Sequence, residues 1–426
     1  MTYQAKNYLR FAGDVNIDRV IITTSRGVFQ DITGQVIQVQ IFEDLFAPFT
    51  TGSLVLKESL DLTNLLPFIG EEYLQMRITT PTVTGGVIEG TFHVYKMSDR
   101  TKVGDRSVAY ELNFISIEAL IDTNKKISKV FSGRISDIVG TFVTDQMDGL
   151  ESKQKFLVEN TRNSIKYISN FWSPIKNLTF LADNSISESQ SPSFLFFQNR
   201  DGFNFRSLES LYKGQVIQEF VFDRYTRDTM PLGGNSLNIA EDYKRISTFE
   251  LPAPFDYMDR LRSGMMASRL ISYDSTKKTY TAKNYSALNR FDAQTHLNPY
   301  ALFSERAPVR ASASMINFPR AYETFTSFGD TTNAKIVQER ISFLKMAEAQ
   351  KLTVSVIGRC DYTVGMVVSV YFNKMQPITQ RDTQDEITDK IFSGKYLVAA
   401  INHVISPEGH ECAMELVKDS TLKNNN

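Results

Sequence analysis

The sequence predicts an α+β protein that is mainly β. Its 426 residues include 30 Phe and 18 Tyr but only one Trp, so aromatic residues make up 12% of the chain. Such side chains favour pleated, half-buried strands. Short runs rich in Val, Ile, Phe and Tyr also alternate with turn signals along much of the chain, as they do in β proteins. The length corresponds to roughly three domains at about 150 residues each.

Residues 1–122 are predicted to contain six strands. The runs lie at residues 18–24, 35–42, 53–57, 73–78, 90–96 and 107–115. Turn signals such as Thr33-Gly34 separate them. The last run has an apolar face made of Val108, Tyr110, Leu112 and Phe114. This period of two is typical of a strand with one buried face, so we expect a small barrel or sandwich.

Residues 123–212 predict a small α+β domain. A stripe with the spacing i, i+3, i+4, i+7, i+8 indicates an amphipathic helix, for which Ser132 is the candidate N-cap. Its members are Ile135, Ile138, Val139, Phe142 and Val143. Ser173 followed by Pro174 predicts the start of a second helix. Two Phe-rich runs joined by residues 199–202 (NRDG) predict a β-hairpin, because Gly202 can take the positive φ of the turn.

The rest of the chain predicts more strands around a less periodic segment. Strand-like runs occur at residues 216–222, 352–357, 366–372, 394–405 and 411–417. The segment 252–333 is more polar, with a hairpin predicted around residues 273–276. The spacing of Val337, Ile341 and Leu344 predicts a helix over 333–350. The polar residues 418–426 are predicted to be a frayed tail.

The β runs contain a candidate internal repeat. Residues 394–420 align with residues 90–116 without a gap. The aligned pairs include Gly90 with Gly394, Val94 with Val398, Glu111 with Glu415 and Leu112 with Leu416. Similar strands precede both segments, at 71–78 and 366–372, and further upstream at 53–57 and 352–357. Any two antiparallel hairpins share such alternation, so the similarity has this simpler explanation. A true duplication would mean two copies of one β domain.

Six segments also carry a resemblance to a known family. They are residues 52–59 (GSLVLKES), 66–72 (LPFIGEE), 173–182 (SPIKNLTFLA), 194–205 (FLFFQNRDGFNF), 393–398 (SGKYLV) and 415–419 (ELVKD). In their order along the chain they resemble the baseplate central-hub proteins of contractile-tailed bacteriophages. The resemblance covers most of the chain and is weakest from residue 250 to 345.

The resemblance implies a homotrimer that forms a ring. Each subunit of such a hub carries two tail-tube-like β-barrels, so that three subunits match the sixfold tail tube on one side and seat a threefold central spike on the other. It implies the following division of the chain. Residues 1–122 form the first barrel, 123–212 the α+β domain, 213–250 and 346–420 the second barrel, 251–345 an insertion with a basic hairpin and a helix, and 421–426 a polar tail.

The resemblance also implies partners and a location. The expected partners are the central spike protein, the tail tube protein, and the baseplate wedge and tape-measure proteins, with DNA only in transit. The protein would be made in the host cytoplasm and reside in the tail baseplate of the virion. Its start lacks the pattern of a leader and no run of 18 apolar residues occurs, so we expect no membrane binding by the protein itself.

Composition and motifs argue against catalysis. With 47 basic and 48 acidic residues, the chain as a whole has no electrostatic drive towards nucleic acid or anionic membranes. No Gly-x-Ser-x-Gly elbow, phosphate loop or Gly-x-Gly-x-x-Gly motif occurs, so we expect no enzyme and no cofactor. The runner-up hypothesis is a hydrolytic, cell-wall-degrading tail component whose acidic residues converge from distant positions.

Histidine and cysteine offer one candidate metal cluster. Residues 410–414 (HECAM) begin like a zinc-protease motif but have Met at the second histidine position. His403, His410 and Cys412 could meet across a hairpin, with Cys360 as a fourth ligand. We favour the alternative, a satisfied polar edge beside buried, reduced thiols, and expect no metal.

Residues 260–290 form the one strongly basic segment. Seven basic residues against the single acid Asp274 leave a local charge of 7 − 1 = +6. They are Arg260, Arg262, Arg269, Lys277, Lys278, Lys283 and Arg290. Tyr273, Tyr280 and Tyr285 interleave with them. We favour a solvated face, protein interface or channel-facing patch; the alternative is a stacking platform of a protein that binds single-stranded nucleic acid.

Overall fold

A computed structural model describes residues 8–59, 68–104, 106–222, 239–252, 255–274, 278–304, 313–317, 333–374 and 387–424. The fold is α+β and mainly β, as predicted. None of the described helices is both long enough and apolar enough to span a bilayer. Residues 66–67 of the resembling segments lie outside the described residues.

The N-terminal part folds into seven strands. They are β1 (Asn16–Thr23), β2 (Phe29–Asp31), β3 (Val36–Asp44), β4 (Thr51–Glu58), β5 (Glu72–Thr79), β6 (Val87–Lys102) and β7 (Val108–Ser116). The six predicted strands are confirmed, and β2 is an additional strand of only three residues. Tyr110, Leu112 and Phe114 are buried, which confirms the apolar face of β7.

The middle of the chain mixes helices and short sheets. Its elements are α1 (Ile117–Asn124), β8 (Val130–Arg134), α2 (Ile135–Thr144), β9 (Phe156–Val158), β10 (Ser164–Ile168), α3 (Pro174–Asp183), β11 (Phe194–Asn199), β12 (Gly202–Ser207) and α4 (Leu208–Tyr212). The Ser173 hydroxyl accepts a hydrogen bond from the Lys176 N–H at 3.4 Å, so the predicted cap of α3 is confirmed. Asn199 pairs with Gly202, which has φ +127°, as the predicted hairpin requires.

The predicted cap of α2 is wrong. Ser132 lies inside β8, and α2 begins only at Ile135. The first N–H groups of α2 are bonded by residues distant in sequence. Ile135 N–H donates to the Asn163 carbonyl at 3.3 Å and Ser136 N–H donates to Thr161 Oγ1 at 3.0 Å. A local sequence pattern cannot identify such a partner.

The C-terminal half contains the remaining elements. They are β13 (Val216–Phe222), α5 (Ile239–Asp242), β14 (Ile246–Glu250), α6 (Tyr257–Arg262), β15 (Ala267–Asp274), β16 (Thr279–Ser286), β17 (Tyr300–Ala301), β18 (Ala313–Asn317), α7 (Asn333–Ala347), β19 (Gln350–Ile357), β20 (Val367–Phe372), β21 (Gly394–Ser406), β22 (Gly409–Lys418) and β23 (Ser420–Thr421). The predicted helix over 333–350 ends earlier, because Gln350 already begins β19. The hairpin predicted around 273–276 is β15–β16, with residues 275–277 outside the described residues.

One sheet of thirteen strands includes both halves of the chain. Its main order is β14-β19-β22-β21-β3-β4-β7-β6-β5-β1-β2, and β20 pairs with both β13 and β21. The order β4-β7-β6-β5 therefore recurs as β19-β22-β21-β20, as the repeat predicts. The register differs: Val398 faces Leu416, whereas Val94 faces Phe114, because five residues separate β6 from β7 and only two separate β21 from β22. β1 is also antiparallel to β5, while β13 is parallel to β20.

In the part of the chain that the structure describes, four clusters of buried apolar residues stabilise the fold. One lies under the N-terminal strands, a second under the C-terminal strands, a third among the helices and strands of the middle, and a fourth between β15, β16 and α7. Cys360 and Ile405 belong to the cluster under the N-terminal strands although they come from the C-terminal half. The two halves of the sheet are therefore packed into each other.

The prediction of a frayed tail from residue 418 is wrong for its first four residues. Lys418, Asp419, Ser420 and Thr421 are almost completely buried. The Lys418 ammonium donates to the carbonyls of Ile391 (2.7 Å) and Ser393 (3.1 Å). Asp419 lies 2.6 Å from His296 Nδ1, and β23 pairs with β17. Polar composition predicted exposure, but each of these groups has a partner.

We expect a truncation series to distinguish the buried from the exposed part of this segment. Removing residues 418–426 should lower the free energy of unfolding by about 3 kcal/mol or more, because it leaves buried partners of Lys418 and Asp419 unsatisfied. Removing only residues 423–426 should change it little, since Lys423 and Asn424 are exposed. Urea denaturation of the two shortened chains checks this; equal stability would contradict the observed packing.

Candidate functional site

The pairing of β21 with β3 joins the two halves of the sheet, and we call this junction the seam. Its register runs from Ala400 opposite Asp44 to Ile405 opposite Val39. Facing pairs share one side of a sheet. Asn402 and Phe42 therefore lie on the outer, partly exposed side, and the alternate residues point inward. The inward set is Val39, Ile41, Glu43, Ile401, His403 and Ile405.

Three inward side chains form a compact His–Cys cluster. His403 faces Cys412 across the β21–β22 hairpin, and His410 lies two residues before Cys412 on the same side of the strand. His403 Nδ1 lies 3.0 Å from His410 Nε2. Cys412 Sγ lies 3.3 Å from the first nitrogen and 3.4 Å from the second. All three side chains are at most 1% exposed.

The fourth predicted member stands on the other side of the His410 ring. Cys360 Sγ lies 3.9 Å from His410 Nδ1, the nitrogen that points away from His403 and Cys412. The backbone around the cluster is tight: a Cβ on Gly358 would lie 2.3 Å from His410 Cδ2. Cys360 N–H donates to Thr80 Oγ1 at 2.9 Å, and His410 N–H donates to the Gly13 carbonyl at 2.9 Å. The cluster thus contacts both halves of the chain.

Burial sets the protonation states of the cluster. It lowers the pKa of His403 to about 3, with a further decrease from the Arg200 guanidinium. Burial and the neighbouring His403 hold the pKa of His410 well below its usual range. Burial raises the pKa of Cys360 to about 12 and that of Cys412 well above its usual value. Both cysteines are free, as predicted, and carry thiols beside neutral imidazoles.

Glu43 is a second buried ionisable group at the seam, and the sequence motifs do not predict it. Its carboxylate Oε2 accepts hydrogen bonds from Thr363 Oγ1 (2.6 Å) and Val364 N–H (3.1 Å). Burial raises its pKa to about 7, although these two hydrogen bonds and Arg200 act in the opposite direction. The sequence signal for its burial is an acidic residue that continues the two-residue spacing of the apolar residues Val39 and Ile41 in β3.

Glu43 also lines a cavity of about 620 Å³ between the first strands and the middle of the chain. Glu118 and Gln198 lie on its wall. The Glu118 carboxylate accepts from Ser152 Oγ (2.7 Å) and Gln154 Nε2 (3.1 Å), and Gln198 Oε1 accepts from Ser116 Oγ and Thr50 N–H. These polar groups connect the two regions. Among the described residues the lining contains no histidine, cysteine or serine.

Arg200 links three parts of the fold at the same place. It belongs to the hairpin turn between β11 and β12, and its Nη1 donates to the carbonyls of Cys360 (2.5 Å) and Gly85 (3.1 Å). Its side chain is only 14% exposed. The predicted turn thus carries an arginine that holds the middle of the chain against both halves of the sheet.

The basic residues of 260–290 differ in exposure and in their partners. Arg260 is half-buried and donates to the Ala349 carbonyl at 3.1 Å, and Arg290 pairs with Glu339 at 3.3 Å. Arg269 and Lys283 are exposed but lie on opposite sides of the β15–β16 hairpin. Arg262 and Lys278 are exposed, and Lys277 lies outside the described residues.

The three interleaving tyrosines divide in the same way. Tyr273 and Tyr280 face each other on the exposed side of the hairpin that also carries Arg269. Tyr285 lies on the opposite side and is buried in the cluster beside α7. Two rings, not three, are therefore available to a partner on the exposed side.

Among the described strands, β2 forms one end of the large sheet. β2 is the last strand of the main order, beyond β1. Val28, just before it, is 53% exposed and Phe29 is 71% exposed. An edge with exposed apolar side chains is a common surface for strand pairing between chains.

Solved structures resemble this fold along nearly its whole length. A tail protein from Neisseria meningitidis MC58 has a TM-score of 0.55 at 11% identity, covering 95% of this chain and 97% of that chain. A 43 kDa tail protein of prophage MuSo2 from Shewanella oneidensis has a TM-score of 0.49 at 11% identity, covering 94% and 98%. A type VI secretion system component from E. coli has a TM-score of 0.40 at 8% identity, covering 95% and 76%.

The first of these likenesses establishes the fold: this chain has the fold of the Neisseria meningitidis tail protein. No protein-family model matches the chain, and no curated protein matches it by sequence.

Proposed function

We propose that this protein is the structural hub of a phage tail baseplate. The observation that carries the proposal is the single sheet in which the order β4-β7-β6-β5 recurs as β19-β22-β21-β20. One chain with two similarly connected β units is what a threefold ring needs to match a sixfold tube. The shared fold with a tail protein supports the same class of role.

The mechanism is geometric. Three subunits, each with two tube-like barrels, pair around a ring through strand edges and side-chain contacts. One face joins the tail tube protein, and the other seats the central spike protein. Wedge and tape-measure proteins contact the ring, and DNA passes through it in transit after the sheath contracts. The acids described above hold elements together by hydrogen bonds, so the proposal assigns no catalytic step to them.

The exposed side of the β15–β16 hairpin is the part of the basic segment best placed to contact a partner or the channel. Arg269, Tyr273 and Tyr280 are exposed there together. Tyrosine and arginine are enriched at the energetic centres of protein interfaces. We assign this surface to protein contact, since half-buried or paired arginines such as Arg260 and Arg290 are poorly available to phosphates.

We expect the purified protein to assemble in multiples of three, alone or with its spike. Native mass spectrometry of the wild-type chain measures this directly. Phe29→Lys should shift the population to monomers, because it places a charge on the accessible β2 edge where copies are expected to pair. Met147→Lys is the matched control, since Met147 is 86% exposed and follows α2, which is not part of the large sheet.

Two results would contradict these expectations in different ways. A stable monomer that binds neither spike nor tube would refute the hub. A trimer that persists in Phe29→Lys and in Met147→Lys alike would retain the hub but exclude the β2 edge from the subunit interface.

A further inference from the structure

The His–Cys cluster at the seam has the geometry of a metal site. Its three inner atoms are two ring nitrogens and one sulfur, the donor types that zinc prefers. The distances of 3.0, 3.3 and 3.4 Å between them define a triangle whose centre lies about 1.9 Å from each atom. An ion slightly above this plane reaches the usual zinc bond lengths of about 2.0–2.3 Å.

Hydrogen bonds alone account poorly for this triangle. An imidazole nitrogen has either one in-plane lone pair or one N–H, so it takes part in one strong hydrogen bond. With neutral rings and one thiol, at most two of the three contacts can be bridged by a proton. The third contact then brings two polar atoms together without a bond in a fully buried place, which is costly. A single cation satisfies all three donors at once.

We propose that His403 Nδ1, His410 Nε2 and Cys412 Sγ bind one zinc ion that fastens the seam. On binding, the Cys412 thiol releases its proton to solvent and the sulfur coordinates as a thiolate. The Nδ1–H of His410 then points to Cys360 Sγ, 3.9 Å away, as the outer partner that fixes the orientation of a metal-bound imidazole. Cys360 is therefore assigned an outer position rather than that of a ligand.

The location explains what such an ion would do. His403 belongs to β21, the strand that pairs with β3 of the N-terminal half, while His410 and Cys412 belong to β22. The backbone of His410 is bonded to Gly13, and that of Cys360 to Thr80. An ion here cross-links β21 and β22, and β21 is the strand that pairs with β3 at the seam. Because the ligands are buried, the ion enters while the chain folds.

The test uses the full chain produced in zinc-supplemented medium and purified under reducing conditions. Native and elemental mass spectrometry should find about one zinc ion per chain. Cys412→Ser and His403→Gln should each reduce zinc content by about tenfold or more. Cys360→Ser should retain about one ion per chain. The matched control is His93→Gln, because His93 is also a buried histidine but packs against Tyr73 instead.

A second measurement does not depend on whether the variants fold. Wild-type chain refolded with Co²⁺ should show the visible absorption of tetrahedral cobalt with a thiolate ligand. Wild-type protein without zinc and without this cobalt spectrum would overturn the proposal. Full zinc content in both Cys412→Ser and His403→Gln would also overturn it, and loss of zinc in Cys360→Ser alone would reject the assigned ligand set. None of these outcomes depends on the oligomeric state.

Discussion

Replacing Glu43 with glutamine is expected to remove a pH dependence of up to about 3 kcal/mol from the free energy of unfolding. The pKa of Glu43 rises from 4.5 to about 7 on folding because the carboxyl is buried. The folded state therefore binds the proton more tightly than the unfolded state between these values. Stability is highest below the unfolded pKa and falls as the pH rises towards the folded pKa.

Glutamine keeps the shape of the side chain and an oxygen that can accept from Thr363 Oγ1 and Val364 N–H, but it carries no titrating proton. The stability of Glu43→Gln relative to wild type should therefore increase by up to about 3 kcal/mol between about pH 4 and pH 8. Urea denaturation at several pH values measures the difference.

Glu89→Gln provides the matched control for this experiment. Glu89 lines the same cavity, but its side chain is 60% exposed and pairs with Arg77 at the surface. The control should follow wild type across the pH range. A parallel shift in both variants, or a flat difference for Glu43→Gln, would contradict the burial of the Glu43 carboxylate at the seam.

Replacing Gly202 with alanine is expected to destabilise the protein by about 3 kcal/mol or more. Gly202 has φ +127°, a region that L-residues rarely adopt, and a Cβ there would lie 2.1 Å from the Lys155 carbonyl oxygen. That oxygen already accepts the Phe203 N–H at 2.9 Å. The added methyl group must therefore displace the start of the β9–β12 pairing.

Gly133→Ala separates the effect of the positive φ from the effect of the contact with the Lys155 carbonyl oxygen. Gly133 has φ +147° in β8 of the same region, but no atom lies within 4 Å of its ideal Cβ. Gly133→Ala should therefore be destabilised by backbone strain alone, by about 1–2 kcal/mol. Urea denaturation followed by the fluorescence of Trp172, the single tryptophan, reports on this region, because Trp172 packs against its apolar cluster. Equal losses in the two variants would exclude the contact with Lys155 as a cause.

Much of the fold is readable in the sequence because the signals are local. The six N-terminal strands are short runs rich in Val, Ile, Phe and Tyr, and the last of them shows a period of two. The Ser173-Pro174 start of α3 and the 199–202 hairpin follow from single residues with strong backbone preferences. The repeated strand order was also predictable, since each hairpin keeps its alternation. The register of the repeat was not, because the β6–β7 connection is three residues longer than the β21–β22 connection, whereas the two sequences align without a gap.

The wrong predictions share one physical reason: the hydrogen-bond partner that determines the structure is distant along the chain. The N–H groups that begin α2 bond to Asn163 and Thr161, so Ser132 is not needed as a cap. Lys418 and Asp419 are predicted to be solvated because they are polar. In the structure, Lys418 donates to carbonyl groups near residue 392 and Asp419 contacts His296. Polar residues are predicted to be exposed unless their partners are known.

The sequence by itself determined a mainly β protein with two related sets of strands, and it indicated that His403, His410 and Cys412 could meet across one hairpin. Only the tertiary structure decided that this side of the hairpin faces inward, that Glu43 lies at the same seam, and that Cys360 Sγ lies beside Nδ1 of His410. Strand patterns arise from neighbours in the chain, whereas the burial and charge of these groups depend on contacts between its two ends.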